Sequence, residues 1–268
     1  MAIPLLHTMH FHAAYTSLLF AELLCDTPRT NDKTVAVVEF GMSLLADDFD
    51  AVVASRRAVR AFLPAPVSRK LINEVIDIAR LAPSNSNTQP WSVHVVTAEP
   101  KRALSAVLAA AHTDPAADPL VHLPDDLAQK FRERQEHFGA LFYGLHQVDK
   151  CDNDARVRVS GLNFEFFGAP VGLIFTIDSN LKKYSWLDYG LFLQTLMLAA
   201  RSRGLSTCPQ VSFARFQALI RDFLHLDNGQ EIVCGMSLGY ADETAPVNSL
   251  RMPRETSQAF THFMGFEQ

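Results

Sequence analysis

An α+β fold, with helices covering a central sheet, is predicted by three features of the chain. Its 268 residues are 48% hydrophobic, enough for one compact domain of roughly 200–250 residues plus an extension. Stretches with apolar residues at helical spacing alternate with short β-rich runs, in the order helix, helix, strand, helices, strand, helix, strand, helix, strand. One of those runs, Val171 to Ile177, is apolar almost throughout, the pattern of a strand covered on both faces.

Taken in order, residues 1–41 stand apart. They carry His7, His10 and His12 and a polar stretch from Asp26 to Lys33. With no acidic or Cys partner near the histidines, the expectation is a loosely ordered extension ahead of a domain over 42–268, and Met42 offers an alternative start. From Ser43 to Ser55 the residues Leu44, Leu45, Phe49, Val52 and Val53 recur at helical spacing. Ser68 reads as the N-cap of a second helix through Leu71, Ile72, Val75, Ile76 and Ala79 to Leu81, which Pro83 ends. The β-rich, alternating stretch Trp91 to Thr97 predicts a strand. A helix over 100–111 and a Pro- and Asp-rich loop over 112–125 follow.

Helices are expected over 126–150, with Phe131, Phe138, Phe142 and Tyr143, and over 155–167. Trp186 to Arg203 is a long helix apolar on nearly every side, stopped by Gly204. Such a helix belongs in a core or a subunit interface. A short strand over Leu205 to Cys208, a helix over Phe213 to Leu224 and a strand over Glu231 to Tyr240 complete the domain before a Pro-pinned tail.

Composition narrows the function. A net charge of -5 argues against a general nucleic-acid binder. No apolar run reaches the roughly 18–20 residues of a membrane span, and residues 13–24 make a poor signal peptide, so the expectation is a cytoplasmic protein. The four cysteines, Cys25, Cys151, Cys208 and Cys234, form no CxxC pair and predict neither a zinc site nor a disulfide framework. There is no GxGxxG, Walker loop or HExxH motif.

Four segments carry the chemistry that remains. Arg56, Arg57 and Arg60 lie within five residues, after an apolar helix. Their guanidinium groups suit phosphate oxygens, though a solvated basic face would look the same. Pro83 to Pro90 brackets a loop dense in amides and hydroxyls that could present donors and acceptors to a heterocycle edge. Gly204 to Ser212 follows the apolar helix. Cys234 to Asp242 leads into a tail with Arg251 and Arg254.

In this order the four segments resemble the nitroreductase family. The resemblance spans about residue 43 to the C-terminus and is nearest its nitrobenzoate reductase branch. It rests on SRRAVRAF (55–62), NTQPW (87–91), FFGAPVGLIFTID (166–178), SWLDYGLFLQTLMLAARSRGL (185–205) and CGMSLGYAD (234–242). It implies a mostly antiparallel sheet, a domain-entwined homodimer and FMN at the dimer interface, with NADH or NADPH as electron donor and a small aromatic substrate.

Residue by residue, the resemblance implies that Arg56, with Arg57 beside it, holds the FMN phosphate, and that Arg60 lies near flavin N1 and the C2 carbonyl. Arg254 completes the phosphate site, with Arg251 as the alternative. Pro83, Ser84, Asn85 and Asn87 would touch the cofactor of the partner subunit. Pro209, Gln210, Val211 and Ser212 would lie against the ring. Ala58 stands where the family often has Ser, which removes one side-chain hydrogen bond to the flavin, and 209–211 lack an acidic residue found in some members. The expected reaction is ping-pong reduction of a nitroaromatic to the hydroxylamine. Two alternatives share these features: a reductive dehalogenase of the iodotyrosine deiodinase type, and a flavin-binding sensor module without turnover.

Overall fold

The computed structural model describes residues 46–114, 124 and 126–266. The expected extension over 1–41, its boundary and most of the 112–125 loop lie outside them. The chain divides after Ala51 into two units. In the first, residues 46–51 are helical; the second opens on helical residues 52–55.

The second unit then runs α1 (Arg69–Ala79), β1 (Ser92–Thr97), α2 (Ala98–Thr113), α3 (Gln129–Leu145), α4 (Asn153–Gly161), β2 (Val171–Asp178), α5 (Lys183–Arg201), β3 (Ser206–Gln210), α6 (Gln217–Leu224) and β4 (Gln230–Gly239). Ser68 caps α1 as expected, its hydroxyl accepting from Leu71 N–H at 3.2 Å. Gly204 takes a left-handed φ of 75° just beyond α5, where a side chain would be strained. Several predicted bounds move: α3 spans Gln129–Leu145 where a helix over 126–150 is expected, and α5 spans Lys183–Arg201 where Trp186 to Arg203 is expected. The helix expected over 155–167 stops at Gly161, and Phe166–Gly168 form a separate tight turn with Phe166 and Phe167 at positive φ. The helix expected from Phe213 is a 3-10 stretch, Val211–Phe216, before α6 begins. The strand expected to end at Cys208 continues through Pro209 to Gln210.

The sheet has the order β1-β2-β4-β3, and its ladders are antiparallel. Alternation along β2 sends Val171, Leu173, Phe175 and Ile177 to one face, where they meet Ile72, Val75 and Ala79 of α1 and Phe192, Leu196 and Ala200 of α5. Ile174 points to the other face, among Leu104, Leu108, Phe164, Phe166, Phe213 and Ile220. A bulge opposite Phe175/Thr176 leaves Val233 unmatched, so Ile232 joins the second core while Cys234 stays with the first.

Two glycines let the second core approach the sheet closely. A Cβ on Gly172 would stand 2.5 Å from the Phe166 ring, and one on Gly235 would stand 2.6 Å from the Phe213 ring. The two rings lie above adjacent strands with centroids 4.8 Å apart. On the opposite face, the hydroxyl of buried Tyr189 donates to the carbonyls of Ser92 and Thr176, at 2.9 and 3.0 Å, tying α5 to β1 and β2. Burial holds that phenol well above its usual pKa, so it stays a donor.

Gly235→Ala is expected to destabilise the fold by about 1–3 kcal/mol, because fully buried Phe213 has nowhere to go. Gly139→Ala, on α3 with nothing within 4 Å, should leave stability unchanged or slightly raised. Urea unfolding of the two variants checks the contrast.

Candidate active site

The arginine run leaves its helix and becomes a strap along the sheet. Arg56 N–H still donates to Val52 O, at 3.1 Å, and the chain then extends. Ala58 forms a parallel bridge to Thr207 on the free edge of β3, with Val59 N–H donating to Thr207 O at 3.0 Å. Phe62 then bridges Ala241 beyond the end of β4, with Leu63 N–H to Tyr240 O and Asp242 N–H to Ala61 O. Buried Val59 and Phe62 anchor the strap in the second core, so Arg56, Arg57 and Arg60 are set by backbone pairing.

Asn248 ties the tail to this strap. Its side chain is buried; it accepts from Arg60 N–H at 2.7 Å and donates to the carbonyls of Ala61 and Asp242, each at 2.8 Å. The tail thereby brings Arg254 near Arg56. Burial, and then the neighbouring Arg254, lower the pKa of Arg56. Among the described residues no carboxylate pairs with either of them. Arg251 is turned away, donating to the carbonyls of Asn248 and Leu250 at 2.9 and 3.0 Å. Arg57 pairs with exposed Glu243, while its Nε is buried without a partner.

Arg56 and Arg57 line a cleft with Ser55, Met197, Arg201, Leu205, Ser206 and Thr207. Arg60 points elsewhere, toward α3. Its guanidinium carbon lies 5.2 and 5.3 Å from the ring centres of Phe138 and Phe142, which stack on each other at 5.6 Å. His146, just after α3, has a buried Nε2 without a partner, and burial and Arg60 both lower its pKa. Of the aromatic residues of α3, Phe142 is buried, Tyr143 meets it edge-on, and Phe131 is exposed.

Gln210 is the least available of the β3 residues. Its buried amide accepts from Ser237 Oγ at 2.9 Å and donates to Asn163 O at 2.6 Å, so its side chain is committed to the fold. Pro209 and Val211 are exposed and Ser212 is half-buried. Burial raises the pKa of Cys208 to about 11, against an opposing pull from Arg60, which makes it a poor nucleophile at neutral pH.

The polar loop lies apart from the arginines. Ser86, Asn87 and Gln89 all have positive φ, a strained set. Gln89 N–H donates to Ser84 Oγ at 3.0 Å, and Asn85 N–H donates to buried Asp188 in the first turns of α5 at 3.1 Å. Asn85, Asn87 and Pro83 are exposed. Asp188 and Arg201 sit toward opposite ends of α5, about 20 Å apart along its axis. One chain therefore does not bring the loop of 83–89 to its own arginine cleft.

Sequence reasoning missed Asp188, Asn248 and Arg201. Asp188 had a signal: it is the sole acidic residue in an otherwise apolar helix. Asn248 had none, because its three partners come from two distant segments.

Comparison with known proteins agrees with this architecture. The nitroreductase family profile matches residues 53–240. The 4-nitrobenzoate reductase of Pseudomonas putida is 83% identical over 227 residues, covering 85% of this chain and all of that protein. The nitrobenzene nitroreductase of Ectopseudomonas oleovorans is 38% identical, over 80% of this chain and 96% of its own length. Among solved structures, the FMN-dependent nitroreductase NfnB from Mycobacterium smegmatis, in complex with NADPH, superimposes with a TM-score of 0.78 at 32% identity, covering 82% of this chain and 99% of that one. The chain belongs to the nitroreductase family.

Asn248→Ala is expected to cost about 2–3 kcal/mol, since it strands one buried N–H and two carbonyls at the strap. Hydrogen exchange should speed up at residues 59–63 and the tail before it does in the sheet. Uniform acceleration through the sheet would contradict this local role.

Proposed function

We propose that this chain is an FMN-dependent NAD(P)H oxidoreductase that reduces nitroaromatic acids of the nitrobenzoate type. The observation that carries the reading is Arg56, partly buried on the strap and within electrostatic reach of Arg254, with no carboxylate paired to either among the described residues. Like charges in a half-buried site suit a dianionic phosphate. The donor set fits FMN: Arg56 and Arg254, with Arg57 beside them, would hold the phosphate. Arg60, on the same strap, would face the N1 edge of the ring, and Pro209, Val211 and Ser212 would face its plane. Ala58 would contribute backbone only. Similarity to relatives named 4-nitrobenzoate reductase supports the substrate class.

When bound, FMN supplies the hydride chemistry, accepting from NADH or NADPH and giving to the nitro compound in separate half-reactions. The chain supplies position and charge. Arg60 places a fixed cation where negative charge develops. The apolar walls of Phe138 and Phe142 suit a flat ring. No protein nucleophile is required, consistent with buried, inert Cys208. Two equivalents of NAD(P)H and two protons convert the nitro group to the hydroxylamine and water.

The same reading makes the protein an entwined homodimer. Tyr184, Leu187 and Leu191 of α5 are exposed, as are Phe260, Phe263 and Phe266 of the tail, an apolar surface unusual for a monomer. The separation of the polar loop from the arginine cleft along α5 supports a site completed by two chains, with Pro83, Ser84, Asn85 and Asn87 serving the partner's cofactor. Among the described residues no helix is long and apolar enough to cross a membrane, and we place the enzyme in the cytoplasm, where NAD(P)H is supplied.

The purified protein should be yellow, release FMN on denaturation, and oxidise NADH or NADPH in the presence of 4-nitrobenzoate with parallel, ping-pong initial-rate lines. Arg56→Ala and Arg254→Ala should each weaken FMN binding by about 1.5–3 kcal/mol. A colourless protein that FMN does not reconstitute overturns the reading. Sedimentation should show a dimer at micromolar concentration, with an interface above about 2,000 Å² in total; a stable FMN-loaded monomer would refute the two-chain site.

A further inference from the structure

Two arginines end α5, and they do different things. Arg203 folds back onto its own helix, donating to Ala199 O at 3.0 Å and lying 3.9 Å from Glu74. Arg201 reaches across to the strap instead. Its Nε donates to Ser55 Oγ at 2.9 Å, and Ser55 in turn donates to Val52 O at 3.1 Å. Both polar functions of Ser55 are thereby used, and the guanidinium is aimed by its inner edge. Its two terminal nitrogens have no partner among the described residues.

Helix capping does not explain this arrangement. The last carbonyls of α5 are already satisfied by backbone: Leu198 O by Ser202, Ala200 O by Arg203 and Leu205, and Arg201 O by Gly204. Nor does a surface ion pair, since no carboxylate among the described residues reaches Arg201. What Arg201 does share is the cleft lined by Arg56 and Arg57, with the hydroxyl-bearing Ser206 and Thr207 at the start of β3. Arg56, Arg57 and Arg201 line one narrow crevice, and Glu243, on Arg57, is the sole carboxylate paired with any of them among the described residues.

We propose that Arg201 is a further ligand of the FMN phosphate, binding it through the two terminal nitrogens that Ser55 leaves free. This rests on the FMN reading above. A guanidinium fixed at Nε presents its remaining edge to two oxygens of one phosphate, which is the geometry that distinguishes Arg from Lys at such sites. The arrangement also accounts for Ser55, which then acts as a positioning residue that reaches the phosphate through Arg201.

Riboflavin carries the same ring as FMN without the phosphate, so the pair separates a phosphate ligand from a structural residue. The test titrates each into apoprotein prepared by removing the cofactor. Arg201→Met keeps the apolar stem and removes the charge. It should weaken FMN about ten- to hundredfold and leave riboflavin unchanged. Arg201→Lys should fall between wild type and Met. Ser55→Ala, which frees the guanidinium without removing it, should weaken FMN less than Arg201→Met and also spare riboflavin; it carries the test if Arg201→Met does not fold. Inorganic phosphate should compete with FMN in the wild type. Unchanged FMN affinity, or equal loss of FMN and riboflavin, overturns the assignment. A wild-type apoprotein that binds neither flavin overturns the FMN reading instead.

Discussion

Val59 N–H meets Thr207 O on the outer edge of β3, and a residue later the chain is bound for the end of β4. The position of each cation in the site depends on that short parallel contact. An edge strand has a row of unused backbone groups, and covering it usually serves to block association. Here the cover is the segment 56–63 itself. Buried Val59 and Phe62 lock the strap inward, and Arg56, Arg57 and Arg60 are left only partly covered. Arginines on a free loop would lose rotamer and backbone freedom on binding an anion; these have lost the backbone part at folding.

The strap is only as rigid as the sheet beneath it. That rigidity comes from two cores of different character. On one face α1 and α5 bring aliphatic residues against alternate positions of β2 and β4, with Tyr189 bonded to two carbonyls. On the other, phenylalanine rings rest directly on glycine, Phe166 over Gly172 and Phe213 over Gly235, and reach Val59 and Phe62 of the strap. The aromatic layer therefore lies between the sheet and the functional segment. Helix α5 links both ends of the arrangement, holding the polar loop through Asp188 near its start and Arg201 at its last turn.

Much of this was legible in the sequence wherever the signal was local. The Ser68 cap, the Gly204 stop, the apolar run of β2 and the departure of Arg60 from its helix all follow from neighbours within a few residues. The bounds that moved did so where tertiary contacts outweighed local pattern. Phe166 and Phe167 read as helix, yet both adopt positive φ to place their rings in the second core. The strand read as ending at Cys208, but Pro209 is tolerated near the end of β3, beyond the residue that the strap covers. Arg201, Asn248 and Asp188 act through partners 146, 187 and 103 residues away, and no window of sequence contains both halves of those contacts. The resemblance to nitroreductases supplied the arginine run and the tail; it offered nothing about what aims them.

Electrostatics sets the remaining constraint. Arg56 is partly buried beside an exposed Arg254, and burial and that neighbouring charge both disfavour its charged form in the ligand-free fold. No carboxylate among the described residues pairs with either arginine to offset that repulsion, and Asn248 ties the tail that carries Arg254 to the strap. Any anion that binds the cluster relieves the repulsion, and its binding free energy is added to the stability of the folded state by linkage. Arg57 differs in having Glu243 as a partner, and Glu243 is exposed, so that pair opens at little cost. The cluster thus contains one neutralised cation that stabilises the empty fold and unpaired ones that create its affinity.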